Sequence, residues 1–471
     1  MNTQCKMLHH LSALELAERI RDRRLSAEEV TAFFLDRIFQ YDEIINAFVF
    51  VDTENALSAA REVDRKISTG HAVGRLAGVP FGVKDFTHVK YMPTMEGSRI
   101  LGEAVLQGKD DPVIERLRNA GAIPLGKTNV PEFGMHSATY NERFGITRNP
   151  WNTQRTPGGS SGGSSAAVAA GLVPFATGTD GGGSIRTPAA YCGLLGLKTT
   201  HGLIPSRDGS SLLSCLGFLT TTAADTAVLL DLSCGPHLLD RMSLPRPAEA
   251  FERLISRGSL KGLKAAWSPD FGYAPMEPEA VDIARKCFET VVQNSGLDLS
   301  NYSYRPPNVY RAWVMESLNF LKDALAAEGL DIRQLDTRTQ GLLQTFSKSS
   351  AAEHIRMQKE FLELENTVAD LFSQVDLLFT PATSCPAFGA SEEIPANIAG
   401  KDATWTGAEP LSMFANIAGI PAISIPAGTT SDGLPVGLQI AARRHEDKLL
   451  LRLAQLMETV QPWPRTAPDF W

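Results

Sequence analysis

The chain has 471 residues, 43% of them hydrophobic, and a formal net charge of −8 at pH 7. A chain of this length would be expected to form about three domains, although large α/β enzymes often keep one extended sheet. The negative charge argues against a nucleic-acid-binding protein, because such proteins usually carry a basic patch or stripe. A small or neutral substrate fits this composition better.

Targeting and cysteine patterns also exclude several classes of protein. The six cysteines are scattered without a C-x-x-C pair, so we expect neither a zinc site nor a disulfide framework. The first 20 residues lack the apolar run of a signal peptide, and the most apolar stretch, 166–176, is shorter than the roughly 20 residues of a membrane span. We expect a cytoplasmic, metal-independent protein with no cofactor and no membrane partner.

Two capping boxes mark helix starts near the N-terminus. Ser12 with Glu15 and Ser26 with Glu29 match the S-x-x-E pattern, in which side chains satisfy the free amides of a first helical turn. The pattern predicts that the first 70 residues are mainly helical.

A short buried strand is predicted next, at 78–85 within the run AGVPFGVKD, and it ends on Lys84 and Asp85. Between 155 and 205 the glycine, serine and threonine content rises, but apolar pieces interrupt the segment. This pattern indicates a structured glycine-rich region and not a linker.

The second half of the chain changes character twice. Residues 236–376 are charged and have a helical pattern. Strands are then predicted at 375–383, 419–428 and 433–442, with a closing helix around 446–459. Strands at both ends of the chain, separated by helices, predict one α/β sheet with a helical insertion. The expected parts are an N-terminal helical part, a core, a divergent helical insertion, and strands plus a helix that complete the core (1–70, 71–235, 236–376 and 377–471).

The segment TPGGSSGGSSAAVAAG at 156–171 permits more than one interpretation. It lacks the G-K-[ST] ending of a phosphate-binding P-loop. It does contain G-x-S-x-G around Ser160, which would make this serine the nucleophile of an α/β-hydrolase. Such an enzyme needs a later acid and histidine, and His445 is available.

A second segment, GTDGGGSIRTPAAYCG at 178–193, places three glycines before Ser184. Glycine is conformationally costly and is used where the backbone needs φ > 0 or must approach a ligand. Such a turn can point the amides of Gly181, Gly182, Gly183 and Ser184 into one concavity, which suits a tetrahedral oxyanion. A plain glycine turn is the alternative for an isolated GGGS.

Together these segments resemble the amidase signature family. The run from 156 to 202 is similar to the family signature along its length, and GVKD at 82–85 is similar to its lysine motif. The resemblance implies one amidase signature domain over 1–471, with an α/β/α sandwich and a mixed, mostly parallel sheet covered by helices. Further matches extend the resemblance to nearly all of the chain except 236–376 (LGKTNVPEFGM at 125–135, FGITRNPWN at 144–152, AGIPAISIPAG at 418–428 and GLPVGLQI at 433–440).

By this resemblance Ser184 is the acyl-forming nucleophile, Ser160 is a bridging serine held by a cis peptide, and Lys84 is the base. A serine hydroxyl needs a neighbouring base, and Ser-Lys arrangements are a known alternative to Ser-His-Asp. Burial lowers the pKa of an amine, and we expect Val79, Phe81 and Val83 to supply apolar surroundings for Lys84. Supporting contacts are expected from Ser161 and from an Asp180–Arg186 pair.

The substrate pocket is less defined by the sequence. The resemblance places Gly134, Met135 and His136 near the acyl group, and Tyr191 and Cys192 follow the nucleophile closely enough to line the site. Trp313 and Trp405 are candidates for an outer wall, although each is more often core packing. Met135, Tyr140 and Phe144 favour an apolar or aryl acyl group.

The implied reaction is hydrolysis of a small-molecule amide to a carboxylate and an amine or ammonia. The A subunit of glutamyl-tRNA amidotransferases shares the signature and is the main alternative. The stretch PEFGMHSATYNERFGITRNPW and the ending QPWPRTAPDFW look more like stand-alone amidases. The sequence leaves open the choice between a monomer and a homodimer, and among aryl, aliphatic, cyclic, urea and carbamate substrates.

Overall fold

The computed structural model of the chain describes residues 5–102, 106–207, 213–346, 350–392 and 394–470. No helix in these ranges is both long enough and apolar enough to cross a bilayer.

Eleven strands form one sheet in the order β1-β3-β2-β6-β8-β7-β14-β15-β11-β9-β10, and two further pairs, β4-β5 and β12-β13, form small hairpins. The strands are β1 Phe48–Val51, β2 Pro80–Lys84, β3 Ile123–Thr128, β4 Tyr140–Asn141, β5 Gly145–Ile146, β6 Ala176–Asp180, β7 Leu195–Lys198, β8 Cys215–Thr220, β9 Lys264–Trp267, β10 Asp298–Leu299, β11 Leu377–Pro381, β12 Asn397–Ile398, β13 Lys401–Asp402, β14 Ala422–Thr429 and β15 Pro435–Ala442.

Helices surround this sheet and connect most of its strands. They are α1 Ala13–Arg21, α2 Ala27–Ile45, α3 Thr53–Ser68, α4 Pro112–Asn119, α5 Gly162–Ala169, α6 Arg186–Cys192, α7 Ala223–Ser233, α8 Phe251–Leu254, α9 Pro278–Ser295, α10 Tyr310–Ala327, α11 Thr337–Phe346, α12 Ala351–Gln374, α13 Met413–Ile417 and α14 Asp447–Val460, with short 3₁₀ turns at Cys5–His10, Glu132–Gly134, Ile332–Gln334 and Pro468–Phe470.

The predicted α/β class and the mixed sheet covered by helices are confirmed. Parallel pairs join β3 to β2, β2 to β6, β11 to β9 and β9 to β10. In the stretch β6-β8-β7-β14-β15-β11 of the sheet, each neighbouring pair of strands is antiparallel. The antiparallel share is larger than expected, because short connections such as the one between β14 and β15 cannot carry the crossover that a parallel pair requires.

Local signals at the chain ends are confirmed. Ser12 Oγ accepts from the Glu15 amide at 3.2 Å while the Ser12 amide donates to Glu15 Oε2 at 2.6 Å, and Ser26 with Glu29 repeats the arrangement. The strand predicted at 78–85 is β2, the three C-terminal strands are β11, β14 and β15, and the closing helix is α14.

Two parts of the chain that were predicted to be helical contribute strands to the sheet. The N-terminal part supplies β1, and the segment 236–376, predicted as a helical insertion, supplies β9 and β10 to one edge of the sheet. These strands have only two to four residues, too few to show the alternating pattern of a half-buried strand.

The core lies on both faces of the sheet. Leu377 and Phe379 of β11 belong to the larger apolar cluster, together with side chains of α7, α9 and α14. Leu378, between them, belongs to a second cluster with side chains of α10, α12 and α13. Successive strand residues point to opposite faces, so one strand serves both layers.

Candidate active site

The site lies where the neighbouring parallel strands β2 and β6 end. Lys84 is the last residue of β2, and Thr179 and Asp180 are the last residues of β6. The carboxyl ends of parallel strands meet at one edge of a sheet, where α/β proteins usually bind their ligands. Both motifs singled out in the sequence therefore converge at this edge.

Helix α5 holds Ser160 and Ser161 beside Lys84. Both serines are buried just before the helix, and the Gly159–Ser160 peptide is cis. Ser164 fixes the helix on the sheet, since its hydroxyl donates to Thr177 O at 2.9 Å and lies 2.7 Å from Thr128 Oγ1.

The Lys84 amine has a dense set of hydrogen-bond partners. Its Nζ lies 2.9 Å from Ser160 Oγ and 2.8 Å from Ser161 Oγ. Thr179, which the sequence analysis did not identify, contributes Oγ1 at 2.7 Å and its backbone carbonyl at 3.3 Å. Its position at the end of β6, next to Asp180, is the signal that would have revealed it.

Burial lowers the pKa of Lys84 well below the ordinary value of a lysine, although the Asp180 carboxylate acts in the opposite direction. The predicted burial is correct, but the predicted surroundings are wrong. Phe81 and Val83 point to the other face of β2, because strand side chains alternate. The amine is instead surrounded by hydroxyl groups.

The glycine turn, residues 181–184, joins β6 to α6 and carries Ser184. Ser184 is partly exposed, which leaves it within reach of a small molecule. Each carbonyl of the turn accepts a hydrogen bond from outside it: Gly181 O from Trp313 Nε1 (2.8 Å), Gly182 O from Ser412 Oγ, Gly183 O from Thr187 N (2.7 Å) and Ser184 O from Ser161 N (3.2 Å).

The amides of this turn fall into two groups. The Gly183 N–H donates to Asp180 Oδ1 at 2.8 Å, so the prediction that Gly183 is an oxyanion donor is wrong. In the described ranges, the N–H groups of Gly181, Gly182 and Ser184 have no protein acceptor. Three of the four predicted donors therefore remain available.

Asp180 and Arg186 form the predicted pair, and both side chains are fully buried. Arg186 Nε donates to Asp180 Oδ2 at 3.0 Å and Nη2 donates to Oδ1 at 2.8 Å, a bidentate geometry. Burial opposes the charged carboxylate, yet the Arg186 guanidinium and its hydrogen bonds lower the pKa of Asp180 below its ordinary value.

Three further residues complete this network and were not assigned from the sequence. Arg186 Nη1 donates to Ser412 O at 2.8 Å and to Gln439 Oε1 at 2.7 Å, and Nη2 donates to Asn416 Oδ1 at 2.6 Å. Asn416 and Gln439 lie in or beside the two C-terminal motifs, so those motifs were the signal that could have found them.

The segment predicted to approach the acyl group lies next to Ser160. A Cβ added at Gly134 would stand 3.3 Å from Ser160 Oγ and 3.1 Å from the Phe86 ring. Met135 is partly buried against an apolar cluster that includes side chains of α10. The backbone carbonyl of His136 lies against Gly159, where a Cβ would stand 2.6 Å from it.

Tyr191 and Cys192 do not line the site, and the prediction that they do is wrong. Tyr191 is 0% exposed and packs with Cys385 and Phe388. Cys192 is 1% exposed, and its Sγ lies 3.4 Å from Ser165 Oγ. Both residues lie on α6, which turns these side chains into the protein core.

The four aromatic candidates lie in three different places. Trp313 of α10 contacts the glycine turn directly. Trp405 is 45% exposed and has the Arg311 guanidinium 6.0 Å from its ring. Tyr140 and Phe144 lie at the β4-β5 hairpin, where Tyr140 carries the Arg338 guanidinium 4.5 Å from its ring.

The alternative nucleophile arrangement finds no support in the geometry around Ser160. Its hydroxyl contacts a lysine, and His445 is an exposed residue whose amide donates to Thr200 Oγ1. Among the residues that the structure describes, no group of three or more His, Cys, Asp or Glu side chains is placed to hold a metal.

Comparison with known proteins identifies the family. The family model described as Amidase matches residues 29–451. An acylamidase from Rhodococcus erythropolis is 34% identical over 472 aligned positions, covering 98% of each chain. The A subunit of the glutamyl-tRNA(Gln) amidotransferase of Moorella thermoacetica is 35% identical over 498 positions, covering 98% of this chain and 99% of that one.

Solved structures agree with this assignment. A bacterial aryl acylamidase of the amidase signature family has a TM-score of 0.89 at 28% identity and covers 97% of both chains. The A subunit of the glutamyl-tRNA(Gln) amidotransferase of Thermotoga maritima has a TM-score of 0.77 at 28% identity, covering 98% of this chain and 97% of that one. The chain therefore belongs to the amidase family and is an amide hydrolase with the amidase signature fold.

Proposed function

We propose that this chain is a stand-alone amidase that hydrolyses small apolar or aryl amides through an acyl-enzyme on Ser184. The observation that carries the proposal is the fully buried Lys84 amine, which is hydrogen-bonded to Ser160 and to Ser161, while the Ser161 amide donates to Ser184 O in the glycine turn. A buried amine surrounded by hydroxyl groups is suited to accept a proton, which a surface lysine is not.

Lys84 acts as the base and Ser160 as the proton relay in this proposal. Because burial favours the neutral amine, Nζ can accept the Ser160 proton over 2.9 Å while Ser160 accepts a proton from Ser184. The Ser184 oxygen then forms a bond to the amide carbon. When the tetrahedral intermediate collapses, the C–N bond breaks as the relay delivers the proton to the leaving nitrogen. Protonation matters because an amine is a poor leaving group.

The glycine turn stabilises the tetrahedral intermediate. The N–H groups of Gly181, Gly182 and Ser184 have no acceptor among the described residues, and they are the donors available to the oxyanion. Donors that are already oriented need no reorganisation when the charge develops. Water then attacks the acyl-enzyme by the reverse route and releases the carboxylate.

The surroundings of the turn support an apolar acyl group. Met135 and Trp313 are both partly buried and pack against the same apolar cluster. Gly134, next to Ser160, presents no side chain to a substrate. Apolar walls with a few oriented polar groups are typical of small-molecule sites.

The alternative is the A subunit of an amidotransferase, which acts with partner chains. Sequence identity does not separate the two, because the acylamidase and the amidotransferase chain are 34% and 35% identical to this chain. Alignment length and overall shape favour the stand-alone enzyme. The alignment with the Moorella amidotransferase chain extends to 498 positions, against 472 for the Rhodococcus acylamidase. The TM-score is 0.77 for the Thermotoga amidotransferase A subunit and 0.89 for the bacterial aryl acylamidase.

The test is turnover by the purified chain alone. We expect hydrolysis of a nitroacetanilide, with aliphatic amides, cyclic oligoamides, carbamates and allophanate-type ureas as the comparison panel and Ser184→Ala prepared in parallel as the inactive control. Absence of turnover across this panel, with activity appearing only when the amidotransferase partner chains are added, would overturn the proposal in favour of the alternative.

A further inference from the structure

Trp313 lies on α10, outside every motif that carried the family resemblance, yet it contacts the glycine turn twice. Its Nε1–H donates to Gly181 O at 2.8 Å. Its ring lies against Gly182, where an added Cβ would stand 2.4 Å from Cζ2 and 2.7 Å from Cε2. The indole therefore holds the backbone of the turn from outside the motif.

This contact fixes the orientation of one peptide unit. In a planar trans peptide the C=O of one residue and the N–H of the next point in opposite directions. A bond from Trp313 to Gly181 O therefore directs the Gly182 N–H away from the indole. The next unit shows the same geometry, since Ser412 binds Gly182 O while the Gly183 N–H points to Asp180.

Without the indole bond this peptide unit has another orientation open to it. Gly181 and Gly182 both lack a Cβ, and rotation about glycine bonds meets little steric resistance. The flipped unit would present a carbonyl oxygen to the reacting carbonyl, where negative charge develops. An acceptor in that place repels the oxyanion that an N–H would stabilise.

We propose that Trp313 is a positioning residue for the oxyanion hole, holding the Gly181–Gly182 peptide so that the Gly182 N–H faces the tetrahedral intermediate. This inference rests on the proposed function, since it assumes acyl transfer on Ser184. It assigns to the divergent helical region an indirect part in the chemical step, through the orientation of the glycine turn.

The test replaces the indole donor and keeps an aromatic ring. Trp313→Phe should lower kcat by about 10- to 100-fold while KM stays within about threefold, because the lost stabilisation belongs to the transition state. Binding of a trifluoromethyl ketone analogue, which forms a tetrahedral adduct, should weaken by the same factor as kcat/KM. The matched control is Trp463→Phe, which loses a bond from Nε1 to Thr221 O of 3.0 Å and should keep parent kinetics.

Parent kcat and analogue affinity in Trp313→Phe would overturn the inference, as would equal weakening of substrate and analogue, which indicates packing alone. If Trp313→Phe does not fold by near-ultraviolet circular dichroism, benzothienylalanine at position 313 preserves the ring shape without the donor, and the same outcomes apply. Ser184→Ala separates the two proposals: an active variant overturns the proposed function, whereas an inactive one with normal Trp313→Phe overturns this inference alone.

Discussion

The glycine turn and the divergent region 236–376 meet at Trp313, but they are held together differently. Every carbonyl of the turn is bound by a defined donor, and the adjoining Asp180–Arg186 pair is fully buried. The divergent region packs through apolar helix faces and leaves large apolar side chains exposed, including Phe320 at 52% and Ile355 at 57%. Hydrogen-bonded backbone permits few residue types, whereas apolar packing tolerates volume-conserving exchanges. The residues that indicate the reaction can therefore be recognised in the sequence, whereas the residues that select the substrate are much harder to recognise.

The largest effect is expected at the base. Lys84→Met should lower kcat by about 10²- to 10⁴-fold, because among the described residues Lys84 Nζ is the hydrogen-bond partner of the Ser160 hydroxyl and the proposed relay needs it as the base. The matched control is Lys198→Met, which alters another fully buried lysine whose Nζ donates to Thr199 O and which should affect thermal stability more than kcat. Steady-state kinetics gives kcat for both variants. Similar losses of kcat in the two would contradict a specific role for Lys84.

The next largest effect is a loss of stability at the Asp180–Arg186 pair, which adjoins the glycine turn. Arg186→Met should reduce the free energy of unfolding by about 3–5 kcal/mol, because it leaves the buried Asp180 carboxylate without its ion pair. Denaturant titration measures the change. Arg333→Met, which breaks an exposed pair with Asp331, serves as the control and should leave the titration unchanged. Equal midpoints for the parent and Arg186→Met would refute this account of the network.

The three glycines of the turn should respond unequally to alanine. A Cβ at Gly182 meets the indole at 2.4 Å, and Gly183 combines φ +137° with Ser412 Oγ at 2.8 Å, whereas at Gly181 the nearest atom is 4.0 Å away. We expect Gly182→Ala and Gly183→Ala to lose about tenfold or more in kcat. Gly181→Ala is the internal control, expected within about threefold of the parent. A uniform response would show that the turn is merely flexible.

The smallest effect concerns pH. Protonated Lys84 cannot accept a proton, so kcat/KM should fall on acidification, with an apparent pKa well below that of an ordinary lysine because the amine is buried. Thr179→Val removes a hydrogen-bond partner 2.7 Å from Nζ that stabilises the charged amine, so the acid limb should move to lower pH. Thr179→Ser keeps the hydroxyl and should leave the limb in place. A limb that moves upward in Thr179→Val would contradict this assignment.

Much of the fold was predictable because its signals are local. The capping boxes at Ser12 and Ser26 and the apolar strand ending at Lys84 depend on neighbouring residues, and each was found where predicted. The strands β9 and β10 were missed because strands this short are defined by their neighbours in the sheet. Sheet membership of that kind is a tertiary property.

The site was predictable to the extent that chemistry restricts residue type. Lys84, Ser160 and Asp180 belong to recognisable motifs and do lie together. The direction of a side chain or an amide is not encoded in the motif: Cys192 follows Ser184 closely in sequence but faces the core, and the Gly183 amide turns to Asp180. Trp313 could be suggested only as a wall, because its contact joins segments about 130 residues apart.

Locating the nucleophile tests the proposed relay of Lys84, Ser160 and Ser184. The purified chain is treated with a fluorophosphonate, digested, and analysed by mass spectrometry, with Lys84→Met treated in parallel. We expect one adduct, on Ser184, that forms much more slowly when Lys84 is replaced. An adduct on Ser160, or labelling of Ser184 at the same rate in both proteins, would contradict it.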